Sequence, residues 1–411
     1  MKYQVTATKN RLNASISIPA SKSISNRVLI IHALCQHAGR VHHLSDSDDT
    51  RILHQALTLR ESRIDIGHAG TAMRFLTAFL AQTTGEWELT GSDRMKQRPV
   101  KILVEALKCL GARIDYLEEE GFPPLRITGS ELTGTTLELD GSISSQYISA
   151  LLMIAPVLKN GLVIQLTGRV TSRAYIEMTL RLMCRFGIHT EWKGDTIRIK
   201  EQSYNPQEFT VEADWSGASY WYQMLALAGE GQVFLSNLHL ESLQGDSQIA
   251  GWFELFGIHS EQAKGGIRIS KHSPVIPSRL VLDFIENPDI AQTMACLCVA
   301  LKIPFHFSGL KTLKIKETDR IAALRSELAK FGAGLTEPGD GELAWNGVLI
   351  ALERGKIPVI HTYHDHRMAL AFAPLALTGS PLIVDDPMVV TKSYPAYWEH
   401  LEKAGFRITP V

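Results

Sequence analysis

A helical pattern of apolar residues that ends at a glycine and passes into a strand-like alternation recurs along the 411-residue chain. It appears as VEALKCLGARIDY, TLRLMCRFGIHTEW, IAGWFELFGIHSEQ, ALRSELAKFGAGLTE and WEHLEKAGFRI. Apolar positions three and four residues apart predict an amphipathic helix, and strict alternation predicts a strand with one buried face. The glycines of the five copies are Gly111, Gly187, Gly257, Gly332 and Gly405, which lie 70 to 76 residues apart. This even spacing predicts one structural module that is repeated.

The repeated module indicates the fold class. Glycine ends a helix easily because it adopts the positive φ that a helix C-terminus requires. A second short strand often follows a glycine turn, as in GDTIRIK and GGIRISK, which predicts hairpins. A weaker sixth copy, ILHQALTLRESRIDI, lacks the glycine. The six modules predict internal duplication. Because the chain is too long for one hydrophobic core, we expect two globular α/β domains with three modules in each.

The apolar helices share a second feature, a polar or charged segment just ahead of the first apolar residue. These segments are SKSISNR, GHAGT, GSISSQ, DWSGAS, NPDIAQ, KETDR and HDHR. Helix capping explains their Ser, Thr and Asp residues. Capping does not explain the cations Lys22, Arg27, Arg320 and Arg367, because a positive charge at a helix N-terminus opposes the helix dipole. We expect such clusters, facing one cleft, to repel each other unless they bind a ligand with several phosphate or carboxylate groups.

Composition narrows the choice of partners. The formal net charge is −1, which gives no basic surface for nucleic acid or membrane binding. The N-terminus lacks the apolar core of a signal peptide, and the most apolar stretch, ISALLMIAPVL, is too short to span a bilayer. The five cysteines include Cys296 and Cys298, which we predict to be buried thiols rather than metal ligands. These features predict a soluble cytoplasmic protein.

Several motifs remain open to a plain structural interpretation. GHAGTAMRF, with Gly67, Gly70 and a possible cap at Thr71, has neither the end of a P-loop nor a dinucleotide fingerprint. In HDHRMAL the two histidines lack the helical spacing of zinc ligands, so an acid–base or anion-binding role of His366 is favoured over a metal site. Single SSQ, NPD or KETDR segments could equally be helix caps or solvated helix starts.

Nine motifs together resemble a known family. SKSISNR, HAGTAMRF, RMKQRP, SSQ, SRAYIEMT, ADWSGAS, PDIAQT, KETDR and DHRMA occur in the order found in 5-enolpyruvylshikimate-3-phosphate synthases, and the resemblance spans essentially the whole chain. It implies an α/β fold of two similar domains, each of three βαβαββ units, the inside-out α/β barrel of the enolpyruvyl transferases, closing over a central cleft. The implied domains are an N-terminal one over residues 21–213 on the shikimate 3-phosphate side, and a C-terminal one of residues 1–20 and 214–411 on the phosphoenolpyruvate side. Two crossover strands join them.

The resemblance also implies an activity and a set of residues. The enolpyruvyl group of phosphoenolpyruvate passes to the 5-hydroxyl of shikimate 3-phosphate, and phosphate is released. The implied shikimate 3-phosphate contacts are Lys22, Ser23, Arg27, Ser144, Ser145, Gln146, Ser172, Tyr175, Asp289, Thr312 and Lys316. The implied phosphoenolpyruvate contacts are Lys22, Gly70, Arg98, Arg320, Arg367 and Lys392. Asp289 is the candidate base, Glu317 and Lys22 are the leading proton-transfer groups, and His366 assists them. No cofactor or metal is implied, the partners are the two small-molecule substrates, and a monomer is expected.

Two alternatives follow from the same motifs. A UDP-N-acetylglucosamine enolpyruvyl transferase would resemble this chain in fold and donor, but that family typically has a cysteine in the loop corresponding to RMKQRP, which has none here. A non-catalytic phosphometabolite sensor would not need proton-transfer groups such as Glu317 and His366. Three departures from the family pattern also stand out: His68 before AGT, Thr312 before KIKETDR, and a shortened segment at 60–67.

Overall fold

The computed structural model describes residues 1–35, 39–59, 61–352 and 355–411. The chain divides into two compact units. The discontinuous unit consists of Met1–Ala20 and Glu212–Val411, and the continuous unit is Ser21–Val211. The first two strands therefore belong with the second half of the chain. The assignment of one substrate to each domain stays a prediction.

The chain opens with β1 (Lys2–Ala7) and β2 (Arg11–Ser17), which belong to the discontinuous unit. The strands of the continuous unit are β3 (Val41–His42), β4 (Arg63–Asp65), β5 (Gly85–Thr90), β6 (Arg113–Tyr116), β7 (Leu125–Gly129), β8 (Thr136–Asp140), β9 (Leu162–Thr167), β10 (Thr190–Lys193), β11 (Thr196–Ile199) and β12 (Phe209–Thr210). Its helices are α1 (Lys22–Leu34), α2 (Asp48–Leu59), α3 (Gly70–Ala81), α4 (Asp93–Lys96), α5 (Lys101–Cys109), α6 (Ser145–Ile154) and α7 (Arg173–Arg185).

The remaining elements complete the discontinuous unit. Its strands are β13 (Glu230–Ser236), β14 (Ile258–Ala263), β15 (Gly266–Lys271), β16 (Leu280–Asp283), β17 (Phe305–Ser308), β18 (Leu343–Trp345), β19 (Val359–Ile360), β20 (Leu382–Asp385) and β21 (Phe406–Pro410). Its α-helices are α8 (Trp215–Leu227), α9 (Ile249–Phe253), α10 (Ala291–Leu301), α11 (Arg320–Ala329), α12 (His366–Phe372) and α13 (Tyr397–Lys403). Short 3₁₀ helices include Pro288–Ile290, Lys311–Ile315 and Pro387–Lys392.

The sheets repeat one connection pattern. In the continuous unit, β4 and β5 run parallel around α3, and the antiparallel pair β6–β7 then joins through β7 to give the order β4-β5-β7-β6. Strands β8 to β11 repeat this arrangement around α6. The discontinuous unit repeats it as β2-β13-β15-β14 and as β19-β20-β1-β21. Four sheets within the described residues thus confirm the predicted βαβαββ connection, and the third sheet of each unit is reduced, to three strands in β16-β17-β18 and to two in β3-β12.

The five repeated glycines end their helices as predicted. All five have positive φ, between 74° and 99°. Gly111, Gly187 and Gly405 follow α5, α7 and α13, and each is followed by a strand within a few residues. A left-handed residue at the helix C-terminus turns the chain back toward the sheet, and glycine adopts this conformation at little cost. The strand after Gly332 is the exception, because it is reduced to isolated bridges at Ala333 and Thr336.

Several helices are buried on all sides rather than along one stripe. Nearly every residue of α3, α6, α8, α10 and α12 is buried. The strands, in contrast, alternate buried and exposed residues, as in the pattern of β8, so the sheets lie outside the helices. In a helix that is apolar all round, the main polar groups are the unpaired N–H groups of the first turn and the unpaired C=O groups of the last turn. Of these, the N–H groups at the helix N-terminus are the ones that favour an anionic ligand. Within the described residues, no helix is long and apolar enough to cross a membrane.

Candidate active site

In the continuous unit, Arg27 of α1 joins helices α6 and α7. Its guanidinium is 2% exposed and donates to the Thr179 hydroxyl at 2.7 Å, the Ser149 hydroxyl at 3.1 Å and the Ser23 carbonyl at 2.9 Å. A longer bond of 3.4 Å reaches the Tyr175 carbonyl. Burial lowers the pKa of Arg27 to about 10, although the nearby Tyr175 opposes this. Arg27 therefore holds in place Ser23 and Tyr175, two of the residues predicted to bind the ligand. It does so whichever of its N–H groups also bind the ligand.

The hydroxyl-rich starts of α6 and α7 lie in the same unit. The Ser144 side chain caps α6 by accepting from the N–H of Gln146. Gln146 in turn donates to the Thr71 hydroxyl at 3.2 Å, which links α6 to α3. Thr71 does not cap α3, contrary to expectation, because the helix has no side-chain cap bond. Ser145 is buried, and Ser172 stands before α7 with a φ of +52°.

Lys22 has a partner that the sequence interpretation missed. Its ammonium lies 3.4 Å from the Asp49 carboxylate, and the two side chains are only 16% and 5% exposed. Lys22 is the first residue of α1, and Asp49 lies in the first turn of α2. Asp49 compensates the cation that opposes the α1 dipole, and it fixes where the ammonium points.

Gly70 and Arg98 form a close pair at the start of α3. A Cβ atom at position 70 would lie 2.4 Å from Nη1 and 2.8 Å from Cζ of Arg98. The position therefore accepts only glycine if Arg98 is to keep its place. Arg98 is 8% exposed, and its Nε has no hydrogen-bond partner within the described residues. A buried guanidinium with an unused donor is suited to an anionic ligand. Arg74 braces the pair by donating to the carbonyls of Gly70 and Pro99.

In the discontinuous unit, Arg320 binds three carboxylates at once. Its Nε donates to Asp365 at 2.6 Å, Nη1 to Asp289 at 2.8 Å and Nη2 to Glu317 at 3.0 Å. The Arg320 side chain is 2% exposed and that of Asp365 is fully buried. Together the three carboxylates raise the pKa of Arg320, although burial opposes this. Arg320 is the first residue of α11, so the carboxylates also compensate the helix dipole.

Asp289 bridges two arginines. Its second oxygen accepts from Nη2 of Arg367 at 2.8 Å, and Nη1 of Arg367 donates to the Tyr220 hydroxyl at 3.3 Å. Burial alone would raise the pKa of Asp289. The positive charges of Arg367, Lys316 and Arg320 outweigh burial and hold this pKa well below its ordinary value of 3.8. Asp289 is therefore ionised in the ligand-free protein.

Glu317 completes the network. Its Oε1 accepts from Nζ of Lys392 at 2.7 Å, while its other oxygen accepts from Arg320. Lys392 lies at the end of a 3₁₀ helix far along the chain, and its side chain is 10% exposed. His366 is 1% exposed and its Nδ1 lies 3.7 Å from the Asp365 carboxylate. The predicted catalytic groups of this unit thus lie together.

Some charged residues of the KIKETDR segment make structural contacts, and others belong to the charged network around Arg320. Lys314 pairs with Glu337 at 2.5 Å and Asp340 at 2.8 Å, away from the network. Asp319 caps α11 by accepting from two backbone N–H groups at 3.0 Å. Glu317 and Arg320 join the charged network described above. A few residues earlier, the buried Thr312 hydroxyl has no hydrogen-bond partner within the described residues.

Asp246 is a buried acid that the sequence analysis did not single out. It is 4% exposed and accepts from the Ser216 hydroxyl and, at 3.1 Å, from the Asn287 amide. Burial raises the pKa of Asp246 to about 6; the charge of Asp289 adds to the rise, and the hydrogen bonds to Ser216 and Asn287 oppose it. The only sequence signal was an acid in a polar run, SLQGDS, before a helix, which is typical of an ordinary cap.

The expectation that the cation clusters repel each other until anions bind is wrong for the ligand-free protein. Within the described residues, Arg320, Arg367 and Lys392 are paired with Asp289, Glu317 and Asp365. Lys22 is paired with Asp49. An anionic ligand must therefore compete with carboxylates of the protein for these cations. In the same described ranges, no group of three or more His, Cys, Asp or Glu residues could hold a metal ion. Cys296 and Cys298 are buried free thiols, as predicted.

These features define a class of protein. Each unit repeats a βαβαββ module, encloses its helices between sheets and gathers cations and hydroxyls at helix N-termini, where anionic groups bind favourably. This arrangement is that of an α/β protein suited to binding anionic small molecules.

Comparison with known proteins identifies the family. The family model described as EPSP synthase (3-phosphoshikimate 1-carboxyvinyltransferase) matches residues 6–61 and 54–401. A 3-phosphoshikimate 1-carboxyvinyltransferase of Bacteroides fragilis is 51% identical over 409 residues, which cover 99% of each chain. One of Photobacterium damsela subsp. piscicida is 36% identical and covers 96% of this chain and 97% of its own. The chain therefore belongs to the EPSP synthase family.

The fold agrees with solved structures. An EPSP synthase from Acinetobacter baumannii superimposes with a TM-score of 0.76 over 100% of both chains, at 19% sequence identity. At this identity the likeness concerns the fold alone. It confirms the predicted fold class.

Proposed function

We propose that this chain transfers the enolpyruvyl group of phosphoenolpyruvate to the 5-hydroxyl of shikimate 3-phosphate and releases phosphate. The reaction proceeds by addition and elimination through a tetrahedral intermediate, and it serves chorismate and aromatic amino acid biosynthesis on the shikimate pathway. The observation that carries the proposal is the 51% identity over 99% of both chains with a relative named for this activity. The charged network around Arg320 supports it, because it combines anion-binding cations with proton-transfer groups.

The residue roles in the discontinuous unit follow from its ion pairs. Asp289 is the candidate base for the acceptor hydroxyl, yet its depressed pKa makes it a weak base before substrate binds. The carboxylate and phosphate of phosphoenolpyruvate would compete with Asp289 for Arg320 and Arg367. Loss of these pairs would raise the pKa of Asp289 and make it more basic. We infer that binding of phosphoenolpyruvate makes Asp289 a stronger base.

The other groups have complementary roles. Glu317, between Lys392 and Arg320, is the leading candidate to protonate the methylene carbon, with Lys22 and His366 as further proton-transfer groups. As the C–O bond to phosphate breaks, the cations stabilise the charge that moves onto the leaving group. In the continuous unit, Ser23, Ser144, Ser145, Gln146, Ser172 and Tyr175 are proposed to bind shikimate 3-phosphate, together with Lys22 and Arg27. The buried Thr312 hydroxyl and Lys316 are proposed to address its ring.

The function is tested by phosphate release. Purified protein with phosphoenolpyruvate and shikimate 3-phosphate should release phosphate in proportion to enolpyruvyl product, whereas UDP-N-acetylglucosamine as acceptor should give none. Turnover with the second acceptor alone would favour the rival transferase. Binding of phosphoenolpyruvate without turnover of either acceptor, by folded protein, would indicate a sensor and overturn the proposal.

Replacing Gly70 with alanine should weaken phosphoenolpyruvate binding. The new Cβ would overlap the Arg98 guanidinium, which must shift by about an ångström, and such misplacement costs up to about 10²-fold in activity. We expect the KM for phosphoenolpyruvate to rise by at least roughly tenfold, with little change in the KM for shikimate 3-phosphate. Gly251→Ala is the matched control, since Gly251 is also a helical glycine, lacks a positive φ and has nothing within 4 Å of a Cβ. Equal KM values in Gly70→Ala and wild type would contradict the proposed role of Arg98.

Replacing Asp246 with asparagine should change how stability depends on pH. Because burial raises the pKa of Asp246 to about 6, the folded state binds more protons than the unfolded state between about pH 4 and pH 6. Wild-type stability therefore falls across this window as pH rises, by up to about 3 kcal/mol from this group. Denaturant unfolding at pH 4.0 and 6.5 should show Asp246→Asn gaining on the wild type at the higher pH. A constant difference between the two proteins would show that Asp246 titrates normally.

Two further properties are proposed. We place the enzyme in the cytoplasm, because its five cysteines are free thiols, as is typical of proteins in reducing compartments. We also expect a monomer, which light scattering coupled to size-exclusion chromatography would test.

A further inference from the structure

The turn that leads into α12 has an unusual backbone. Residues 361–364, named here the 361–364 turn, connect β19 to Asp365, His366 and Arg367. Tyr363 and His364 both have positive φ, of 53° and 56°. Residues other than glycine rarely adopt this conformation, and such residues persist where surrounding contacts hold them. The contacts of this turn therefore determine where α12 and its charged residues begin.

One buried carboxylate holds the turn. Glu327 is fully buried, and its Oε1 accepts from the Tyr363 hydroxyl at 2.7 Å. Its Oε2 accepts from the backbone N–H of His361 at 2.9 Å and from Nζ of Lys330 at 2.6 Å. Lys330 also donates to the Val359 carbonyl at 2.8 Å. Both oxygens of Glu327 thus bind the turn, and the cation that neutralises Glu327 binds the strand before it.

Helix α11, which carries Glu327, also binds the residue that follows the 361–364 turn, two helical turns away from Glu327. Arg320 begins α11 and binds Asp365 through Nε and Nη2, at 2.6 and 3.3 Å. Glu327 lies seven residues later on α11, about 10 Å along the helix axis. Asp365 also caps α12 by accepting from the N–H of Arg367. Helix α11 therefore contacts the 359–365 stretch at two points, through Glu327 at His361 and Tyr363, and through Arg320 at Asp365, just after the left-handed residues.

We propose that Glu327 is a positioning residue for the Arg320–Asp365–Arg367 group. By holding the 361–364 turn on α11 through Tyr363, it sets the position from which Arg367 reaches Asp289. The inference rests on the proposed function for its kinetic test, since Arg320 and Arg367 are the groups assigned to phosphoenolpyruvate. If Glu327 contributed only to stability, its replacement would not change the KM for one substrate more than the KM for the other.

The test uses Tyr363→Phe, which removes one hydroxyl from the surface of the turn and leaves Glu327 bound to Lys330 and His361. We expect the KM for phosphoenolpyruvate to rise about 3- to 10-fold and kcat to fall, because small displacements of binding groups cost activity steeply. The KM for shikimate 3-phosphate should stay within roughly twofold of wild type. The control is Tyr222→Phe, which removes a buried hydroxyl that bonds Ser260 at 2.8 Å in the same unit. Because Tyr222 is more deeply buried, a purely structural effect would be larger in the control.

The outcomes separate the inference from the function. If the wild type shows no turnover, the proposed function fails. If the wild type is active and Tyr363→Phe raises both KM values equally, or neither, the positioning role is overturned. Amide hydrogen exchange adds a readout without turnover, in which residues 361–367 should exchange faster in Tyr363→Phe but not in Tyr222→Phe. Glu327→Gln should show the same substrate-selective change to a greater degree, and if it fails to fold, the Tyr363→Phe result decides.

Discussion

Replacing Glu317 with glutamine is expected to reduce kcat by about 10²- to 10⁴-fold, the usual contribution of a proton-transfer group. Glutamine has nearly the same shape, but it cannot supply a proton to carbon. Arg320 keeps Asp365 and Asp289 as partners, so the fold should survive. The KM values for both substrates should change by less than roughly threefold, since the lost interaction acts in the transition state. Steady-state phosphate release and equilibrium binding of both substrates would measure the two effects separately.

The control for Glu317→Gln lies two residues away in the same motif. Asp319 caps α11 through two backbone N–H groups and is not part of the ion pairs around Arg320. Asparagine caps helices about as well as aspartate, so Asp319→Asn should keep full activity. If Glu317→Gln turned over at the wild-type rate, Glu317 would be removed from the mechanism, and Lys22 or His366 would become the leading proton-transfer group.

Replacing Arg320 with methionine is expected to have the largest effect on stability. Methionine fills much of the same volume but leaves the fully buried Asp365 without its cation, and Asp289 and Glu317 each lose a partner. Breaking a buried ion pair from one side costs about 3–5 kcal/mol. For a unit of this size, that corresponds to a Tm lower by roughly 6–20 °C. Thermal and denaturant unfolding followed by circular dichroism would measure it.

Arg325→Met is the matched variant on the same helix. Its side chain is 45% exposed, and its guanidinium lies 3.9 Å from Glu337, so its removal should cost less than about 1 kcal/mol. Equal melting temperatures for the Arg320 and Arg325 variants would show that the three carboxylates do not depend on Arg320. A ligand that binds only the folded state stabilises the protein against unfolding. Phosphoenolpyruvate should therefore raise the melting temperature of the Arg325 variant but not that of the Arg320 variant.

The repeated fold could be predicted from the sequence because, in five copies of the module, a helix ends at a glycine that turns the chain toward the next strand. Positive φ at a helix end is difficult for other residues, so the glycines mark the same point, between a helix and a strand, in each of the five copies. The Arg320 group was partly readable for a related reason. Cations at helix starts conflict with the dipole, and the conflict predicted a compensating anion. The expected anion was a ligand, whereas carboxylates of the protein take this place in the ligand-free structure.

The partners themselves could not be read from the sequence. The SDSDDT segment offers three acids, and only packing of α2 against α1 brings Asp49 rather than its neighbours to Lys22. Arg27 was predicted as a ligand-binding cation, yet its contacts to Ser149 and Thr179 lie more than 100 residues away along the chain. Such contacts arise when three helices pack together, and no local pattern encodes them.

The split of the discontinuous unit has a consequence for synthesis on the ribosome. Strand β2 pairs with β13, and β1 pairs with β20 and β21. More than 200 residues are therefore synthesised between β2 and its partner β13, and nearly 400 between β1 and its partner β21. Within the described part of residues 21–211, every strand pairs with another strand of the same range, so we expect this unit to fold while translation continues. Segments β1 and β2 thus lack their sheet partners while the continuous unit is being synthesised, and we expect the discontinuous unit to complete its sheets after the continuous unit has folded.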